Sequence, residues 1–522
     1  MIPTVEARLL HAQAQATTRA GLPARKLPSA DKVVGDYVKA LGGKRNVAGL
    51  RDATYEWDVR RADGVEGTAR TSWKSPSSSR TDVVLAGIER DEAANGRSAW
   101  TRESDGRLRT LTDEEALAAK LGALLDAGRM IDLKKQNVLA RTVSLEDVGG
   151  EAAYLVEFTT RAGAHLQYWF STANKFPLRI RDTARGLDLR FFDWRGGAQT
   201  PSQPSPHRVE VLRAGSESLT FVLREARYNT GLAETLFDPP GDSALDVPAL
   251  LRELSRNQND VDKRINDYTF KRKKTERKLN DKGVVTKETV TVHDIYPIAG
   301  YGWIRKLVSE NGIPLSPERA AKEEKRAGEE LEKAEREMPK LEAKREQQRA
   351  ERAAKKNRDG HTDADTSDDD DVEISTILRA CELVSPRRER FRERDTIVFD
   401  FRARVGFRPS TRAESVVSKL AGTIWIDPVD KQVMRLEARF VESYKVGGGL
   451  LATLKPGASF TFEQTRLPDG VWLPQFAQIN ASARIMLFAG VNINETHEYS
   501  DFKRFSTKTG DATLDAPKAP PH

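Results

Sequence analysis

The sequence predicts an α+β protein built from two tandem β-rich domains. Its 522 residues are too many for one hydrophobic core. Residues 166–181 and 423–440 share one plan, in which an aromatic-rich strand, a polar turn and a second strand of alternating apolar and charged residues follow each other. A period of two is typical of a half-buried strand, so each stretch predicts an antiparallel hairpin. The order helix, strands, helix, strands also occurs twice, which indicates internal duplication.

The first domain, residues 30–242, is predicted to begin with a helix that ends at Gly42-Gly43. The apolar residues of this helix recur at helical spacing: Val33, Val34, Tyr37, Val38 and Leu41. Short β segments follow, separated by dipeptides such as Asp63-Gly64 and Asn95-Gly96 that favour tight turns. These segments predict an antiparallel meander.

A second helix is predicted after this meander. Thr112 and Glu115 have the spacing of a capping box, in which each side chain satisfies a backbone N–H at the start of a helix. An apolar stripe then covers one side of the helix: Leu117, Leu121, Leu124 and Leu125. Further strands are predicted between Val138 and Trp194, and residues 237–240 close the domain.

The second domain, residues 243–506, repeats this order but contains a charged insertion at residues 316–371. Residues 316–358 are rich in Glu, Lys, Arg and Ala and include Pro339, so we expect a projecting, kinked helix. Its apolar seam is thin and consists of Leu331, Ala334, Met338 and Leu341. The remainder of the insertion has the composition of a disordered acidic linker.

Composition and charge exclude several classes of protein. The net charge is +7, but 85 basic residues face 78 acidic ones that are interleaved with them, so we expect no nucleic acid partner. The longest apolar runs are too short for a transmembrane segment. Residues 12–16 have the spacing of an export cleavage site without an apolar stretch before them, so we expect an export signal trimmed or absent from this chain. Residues 1–29 and 507–522 are predicted to be a flexible segment and a disordered tail.

The sequence predicts no catalytic residue, metal site or cofactor. The single cysteine, Cys381, lies in an apolar stretch and is interpreted as a buried, inert thiol. His293 and His497 lie on predicted strands near acidic residues. They could form half of a metal site or an acid–base pair, but an exposed histidine on a strand is the more common case.

The apolar strand faces are the candidate ligand-binding surface. They comprise Tyr168, Phe170, Leu178, Ile180, Ile424, Ile426, Met434, Leu436 and Phe440. Two interpretations stay open: these side chains form a packed core, or they line an apolar cavity for an acyl chain on the concave side of a curved sheet. The alternating charged residues, including Arg179 and Arg435, are expected on a solvated outer face.

Several segments resemble the outer-membrane lipoprotein-sorting (LolA/LolB-like) superfamily. In the first half they are residues 31–43, 95–100 and 176–180, and in the second half residues 422–427 and 471–474. The resemblance implies a half-open antiparallel β-barrel, covered by helices, in each of the two tandem domains, and the sequence adds the long charged helix as an insertion in the second. It also implies a periplasmic protein whose concave apolar faces bind acyl chains. The duplication and the insertion depart from a simple carrier, so no functional residue is transferred.

The leading hypothesis is that the protein is periplasmic and non-enzymatic and binds a lipid or the acyl chain of a lipoprotein. This hypothesis includes lipid or lipoprotein transfer. The alternative is an envelope scaffold with packed domains, in which the charged helix at residues 316–358 docks another envelope protein. An enzyme, most plausibly a hydrolase using His293 or His497, is the third hypothesis. Loss of partner binding on removal of residues 316–371 would favour the scaffold.

Overall fold

The fold is seen in a computed structural model. It describes residues 27–196, 203–215, 218–242, 245, 247, 249–250, 252–254, 257, 264–280, 285–298, 301–359, 374–446, 452–485 and 489–504. The predictions of a flexible N-terminal segment, an acidic linker and a disordered tail lie outside the described residues, apart from residues 27–29 and Asp359.

The first half of the chain forms an antiparallel sheet of 13 strands. Its helices are α1 (Ala30–Ala40), α2 (Lys44–Ala48) and α3 (Asp113–Ala127). Its strands are β1 (Asp52–Arg61), β2 (Glu66–Lys74), β3 (Ser78–Leu85), β4 (Ile88–Ala94), β5 (Ala99–Arg102), β6 (Leu108–Thr110), β7 (Val138–Val148), β8 (Glu151–Thr160), β9 (His165–Ser171), β10 (Pro177–Asp182), β11 (Leu187–Gly196), β12 (Pro204–Arg213) and β13 (Leu219–Tyr228). A 3₁₀ turn at Glu234–Phe237 follows.

The second half forms another antiparallel sheet. Its helices are α4 (Pro317–Asp359), α5 (Ile374–Ala380) and α6 (Arg412–Val417), and a 3₁₀ turn at Ile265–Asp267 precedes the sheet. Its strands are β14 (Tyr268–Leu279), β15 (Val285–Ile298), β16 (Gly302–Glu310), β17 (Ile313–Pro314), β18 (Cys381–Phe391), β19 (Arg394–Ala403), β20 (Leu420–Asp427), β21 (Gln432–Phe440), β22 (Tyr444–Val446), β23 (Ala452–Leu454), β24 (Ser459–Arg466), β25 (Trp472–Ile485) and β26 (Ala489–Arg504).

The two sheets have the same topology, which confirms the predicted duplication. In the first sheet the meander β1–β6 joins the meander β7–β13 because the first strand, β1, pairs with the last, β13. In the second sheet β14 pairs with β26 in the same way. Helix α3 stands between the two meanders of the first sheet, and α4 and α5 stand between those of the second. The end strands β6 and β7 do not pair, so the first sheet stays open, and the predicted class of α+β half-open barrels is confirmed.

The two predicted hairpins are β9–β10 and β20–β21, and both contain a β-bulge just after the turn. In β10 the bulged residue is Leu178, because Pro177 and Arg179 pair with the adjacent residues Phe170 and Trp169. In β21 it is Met434, because Val433 and Arg435 pair with the adjacent residues Ile426 and Trp425. A bulge adds one residue and so reverses the alternation of side chains. The expectation that Leu178 and Met434 share a face with the apolar residues that follow them is therefore wrong.

Helices α1 and α3 cover the strands β7–β10 of the first sheet. Ser29 caps α1 by accepting a hydrogen bond from the backbone N–H of Lys32. The apolar side of α1, including Tyr37 and Leu41, packs on Tyr168 and Phe170 of the sheet. In the second sheet, α5 and α6 cover β18–β21 in the same manner, with Ile377 and Val417 packed on strand residues.

Cys381 begins β18 and is 1% exposed, which confirms a buried thiol. Burial raises the pKa of this thiol to about 12. The thiolate is the reactive form, so it is almost absent near neutral pH.

We therefore expect Ellman's reagent to leave the native protein unlabelled at about pH 8, although the urea-unfolded chain reacts with one equivalent. The unfolded protein is the control for reagent and stoichiometry. Rapid labelling of the native protein would show that the β18 edge opens readily.

Helix α4 is continuous through Pro339. Its first turns lie along β16, where Lys306 pairs with Glu324 at 2.8 Å and Glu323 accepts a hydrogen bond from the backbone N–H of Leu307. Ala334 is fully buried, whereas most of the charged residues around it are exposed. Among the described helices, none is both long and apolar enough to cross a membrane.

Candidate functional site

The polar face of the second sheet packs against the first half of the chain. Asp400, Thr423 and Glu437 are cross-strand neighbours on this face. Arg387 of β18 and Arg435 of β21 are each 1% exposed. The expectation that Arg435 is solvated is therefore wrong, because the face that carries it is covered by the other domain.

The centre of this interface is a buried ionic network around Arg387. The guanidinium donates to Asp400 at 3.0 Å and to Glu389 at 2.9 Å, and both carboxylates belong to the second sheet. It also donates to the hydroxyl of Thr110 in the first sheet at 2.7 Å. The backbone N–H and the hydroxyl of Thr110 both donate to Glu389, at 2.7 and 2.6 Å. Ser98 Oγ donates to Asp400 at 2.7 Å, so every buried charge here has partners.

Arg435 connects the second sheet to the start of α3. It donates to Asp113 at 2.8 Å and to Glu437 at 2.7 Å, and it also pairs with Glu463. Burial of Asp113 acts to raise its pKa, but the hydrogen bond from Arg435 prevails and the pKa is lowered. Thr112 makes no side-chain cap, so the predicted capping box is wrong; Asp113 has a φ of 52° and turns its carboxylate to the other domain instead.

Helix α3 lies between the two domains and is buried on more than one side. One side packs into the core of the first sheet through Leu121 and Leu125, and another packs on Ala94 and Ala99 through small residues such as Ala119. This explains why the helix is apolar beyond the single stripe predicted for it. Its remaining side faces the second sheet across a cleft.

The inner compartment of the cleft has a volume of about 230 Å³. Its walls are Ala116, Leu117, Lys120, Leu121 and Leu124 from α3 and Ala421, Gly422, Ala438, Ala458, Phe460 and Ala481 from the second domain. The α3 residues recur at helical spacing and so form one face. Most of the residues opposite this face are alanine or glycine, and the space between the two walls stays open.

An outer compartment of about 460 Å³ adjoins the inner one. The two share residues from both domains, including Arg97, Leu124, Gln136 and Arg439. Its own walls come from residues 74–78, Glu234 and Asp238 of the first domain and from Phe440 and Val441 of the second. The cleft is therefore continuous from a polar mouth to an apolar interior.

Two cations stand where the compartments meet. Arg439 donates to the backbone oxygen of Gly96 and forms no ion pair within the described residues. Burial, and then the nearby Arg97, lower the pKa of Arg439. Arg97 pairs with Asp238, but its Nε is buried without a hydrogen-bond partner and lies 3.7 Å from Asp400.

Further polar groups face the cleft without a partner. Arg161 Nη1 and Gln136 Oε1 are both buried and form no hydrogen bond within the described part of the chain. Burial lowers the pKa of Lys120, which pairs with Glu437 at 3.8 Å. Buried polar groups are nearly always hydrogen-bonded, so these groups are expected to bind water or a ligand.

The structure places most of the predicted ligand-binding residues in packed clusters. Tyr168, Phe170 and Ile180 lie under α1 and α3, and Ile424, Ile426 and Leu436 lie under α5 and α6. Leu178 packs on Trp169, and Met434 packs on Trp425, each on the opposite face. Phe440 alone of the nine lines the cleft. Sequence reasoning missed the cleft residues of α3, although the break in its apolar stripe at Lys120 was a signal.

The two strand histidines do not come together. His293 on β15 and His497 on β26 flank β14, where His293 is opposite Arg272 and His497 is opposite Lys274. Within the described ranges, no group of three His, Cys, Asp or Glu side chains could hold a metal ion.

Comparison of the sequence with protein-family models and with curated proteins finds no match. Among solved structures, the chain is similar to a LolA superfamily protein from Nitrosomonas europaea, with 13% identity, 41% of this chain and 99% of that chain covered, and a TM-score of 0.29. It is similar to the lipoprotein LppX from Mycobacterium tuberculosis, with 10% identity, 39% and 98% covered, and a TM-score of 0.15.

The complex of MucA and MucB from Pseudomonas aeruginosa is matched over more of the chain. Its identity is 7%, 91% of this chain and 99% of that chain are covered, and the TM-score is 0.17. One of these solved structures is thus named as a LolA superfamily protein, and its match covers 41% of this chain.

Proposed function

We propose that the protein binds an amphiphile, a lipid or an acylated molecule, in the cleft between its two domains. The observation that supports this most directly is a largely apolar cleft that ends at half-buried cations, beside polar atoms that lack a hydrogen-bond partner within the described residues. An acyl chain would leave water for the wall formed by α3, which contributes roughly 0.8 kcal/mol for each buried methylene group. We place this function in the periplasm and assign it to binding or transfer rather than to catalysis.

The position of the cations favours an anionic headgroup. Arg439 is half-buried and forms no ion pair within the described residues, and Arg97 Nε lies 3.7 Å from Asp400 without a hydrogen bond, so a carboxylate or phosphate at the junction would give Arg439 a counter-ion. The inner compartment would then hold part of the tail. The two compartments together have the size usual for small-molecule sites, roughly 300–1,000 Å³.

This proposal predicts that dansyl-labelled undecanoate binds the purified protein with a rise in fluorescence. Ala162 lines the inner compartment, and Ala162→Trp is expected to fill it and weaken binding at least about tenfold. Arg439→Gln is expected to weaken binding about tenfold, because it removes a charge-assisted hydrogen bond.

Competition by dodecanoate and by dodecanol separates the role of the charge from that of the tail. Arg439→Gln should weaken competition by the acid and leave that by the alcohol unchanged. Arg141→Gln is the matched control, since Arg141 is 54% exposed, pairs with Glu157 and does not line the cleft. Equal effects of Ala162→Trp and Arg141→Gln, or no binding by the wild type, would contradict the proposal.

The alternative of a scaffold that docks a partner through α4 is supported by the long exposed, charged surface of that helix. The same titration on a chain lacking residues 316–371 distinguishes the two functions. Unchanged ligand binding shows that the cleft works without the insertion. Loss of a co-purifying envelope protein from this variant would assign the insertion to partner docking.

A further inference from the structure

A second cluster of cationic groups lies on the second sheet, away from the cleft. Arg272 on β14 stands directly opposite His293 on β15 and Tyr499 on β26. Cross-strand pairs of this kind share one face of the sheet, with Cβ atoms about 5 Å apart. Arg305 on β16 is opposite Ile295, which is two residues from His293, so it belongs to the same face.

Arg272 is 9% exposed, yet its Nε has no hydrogen-bond partner among the described residues. No ion pair joins it to any residue that the structure describes. The nearest acidic group in the cluster, Glu495, is already engaged by Lys274 at 2.9 Å and by His497 at 3.2 Å. Burial, and then the charge of Arg305, lower the pKa of Arg272, which reflects the absence of a counter-ion.

The imidazole of His293 likewise lacks a hydrogen-bond partner for one buried nitrogen, Nδ1, in the part of the chain that the structure describes. The charged groups around it are Arg272 and Arg305 on the neighbouring strands and Glu323 and Arg326 on α4; burial, followed by Arg272 and Arg305, lowers its pKa. Tyr499 adds a phenolic hydroxyl beside Arg272. Two guanidinium groups, an imidazole and a hydroxyl thus converge on one place, and the two acidic groups described beside them, Glu495 and Glu323, are already paired with Lys274 and Arg326.

We propose that Arg272, His293, Arg305 and Tyr499 form a binding site for a phosphate group, either free or as the headgroup of a lipid. A guanidinium donates two parallel hydrogen bonds to a phosphate, and the imidazole and hydroxyl can reach its remaining oxygens. The exposed Arg305 stands at the entrance and the buried Arg272 at the base. This site is separate from the cleft and does not depend on the function proposed for it.

The test is calorimetric titration of the full-length protein in a chloride buffer with inorganic phosphate and, separately, with monomeric dihexanoyl phosphatidic acid. Arg272→Gln is expected to weaken binding at least about tenfold, since it removes charge-assisted hydrogen bonds. Arg277→Gln is the matched control, because Arg277 lies on the other face of β14, is 33% exposed and pairs with Glu288.

A second readout does not depend on how well Arg272→Gln folds. In the wild type, phosphate is expected to raise the pKa of His293. This pKa is measured from the proton NMR signal of the imidazole ring, which is assigned by its loss in His293→Gln. Tyr499→Phe should weaken binding about threefold without loss of folding.

Binding of both probes, or of phosphate alone, would indicate a free phosphate as ligand, and binding of phosphatidic acid alone would indicate a headgroup. Either pattern supports the site if Arg272→Gln weakens binding of the probe and Arg277→Gln does not. The proposal is overturned if neither probe binds, if the two arginine variants behave alike, or if the ring signal of His293 does not respond.

Discussion

Replacement of Arg387 by methionine is expected to lower the free energy of unfolding by about 3–5 kcal/mol, the usual cost of removing one partner from a buried ionic network. The variant leaves Asp400 and Glu389, which are almost completely buried, without the cation that neutralises them. It also removes the donor that reaches Thr110 across the interface. Methionine fills similar space, so the loss comes from the charges rather than from a cavity.

Arg388 provides a matched control. It is the next residue along β18, is 63% exposed and pairs with Asp242. Arg388→Met removes the same charge from the same strand, but an exposed ion pair contributes only about 0–1 kcal/mol. The midpoint of unfolding in urea is measured for each variant by tryptophan fluorescence.

A shift of the midpoint that is equal in the two variants would show that the network around Arg387 does not hold the domains together. A large shift for Arg387→Met, accompanied by a separate unfolding step of one half, would show that the network couples two units that fold independently. The expected result is one large shift with both halves affected, since Arg387 contacts residues of each.

Phe170→Ala is the second variant with a large expected effect, a loss of about 3–5 kcal/mol in the free energy of unfolding. Phe170 is 1% exposed, and its ring lies 5.4 Å from that of Tyr37 on α1 and 6.0 Å from that of Tyr168. Its removal leaves a cavity between the helix and the sheet. The sequence placed this residue among the candidates for ligand contact, so the variant also tests that prediction.

Phe460→Ala makes the same chemical change on β24, on the face opposite to that of Glu437 and Arg439. Phe460 is 37% exposed and stacks on Phe462 at 6.3 Å. We expect a stability loss below about 1 kcal/mol for this variant and unchanged binding of dansyl-labelled undecanoate. Phe170→Ala should instead lower the urea midpoint and leave the binding constant of the folded protein unchanged. If Phe170→Ala abolished binding at small cost in stability, the concave face of the first sheet would be the binding site.

The elements that local pattern determines were predicted well. Helix α1 begins after Ser29 and buries the residues whose spacing predicted it. The hairpins β9–β10 and β20–β21 form where alternation predicted them. Errors arose where one residue changes the pattern: the bulges at Leu178 and Met434 move side chains to the other face, and no single-residue signal in the sequence marks a bulge.

The cleft could not be predicted in the same way. Its walls come from α3 and from strands more than 300 positions later, since Asp113 and Arg435 are 322 residues apart in the sequence. Alternation shows that Arg435, Glu437 and Arg439 share a face of β21, but it does not show whether that face meets water or protein. The cleft therefore depends on domain packing that leaves no periodic trace.

The sequence by itself determined the secondary structure, the tandem duplication and the sheet class, because periodicity and turn chemistry act between residues that are close along the chain. Only the tertiary structure decided which polar face is buried, which apolar residues are core and where the open space lies. The physical reason is that burial of a charge and the formation of a cleft both depend on partners from distant parts of the chain, here Thr110 for Arg387 and Gly96 for Arg439.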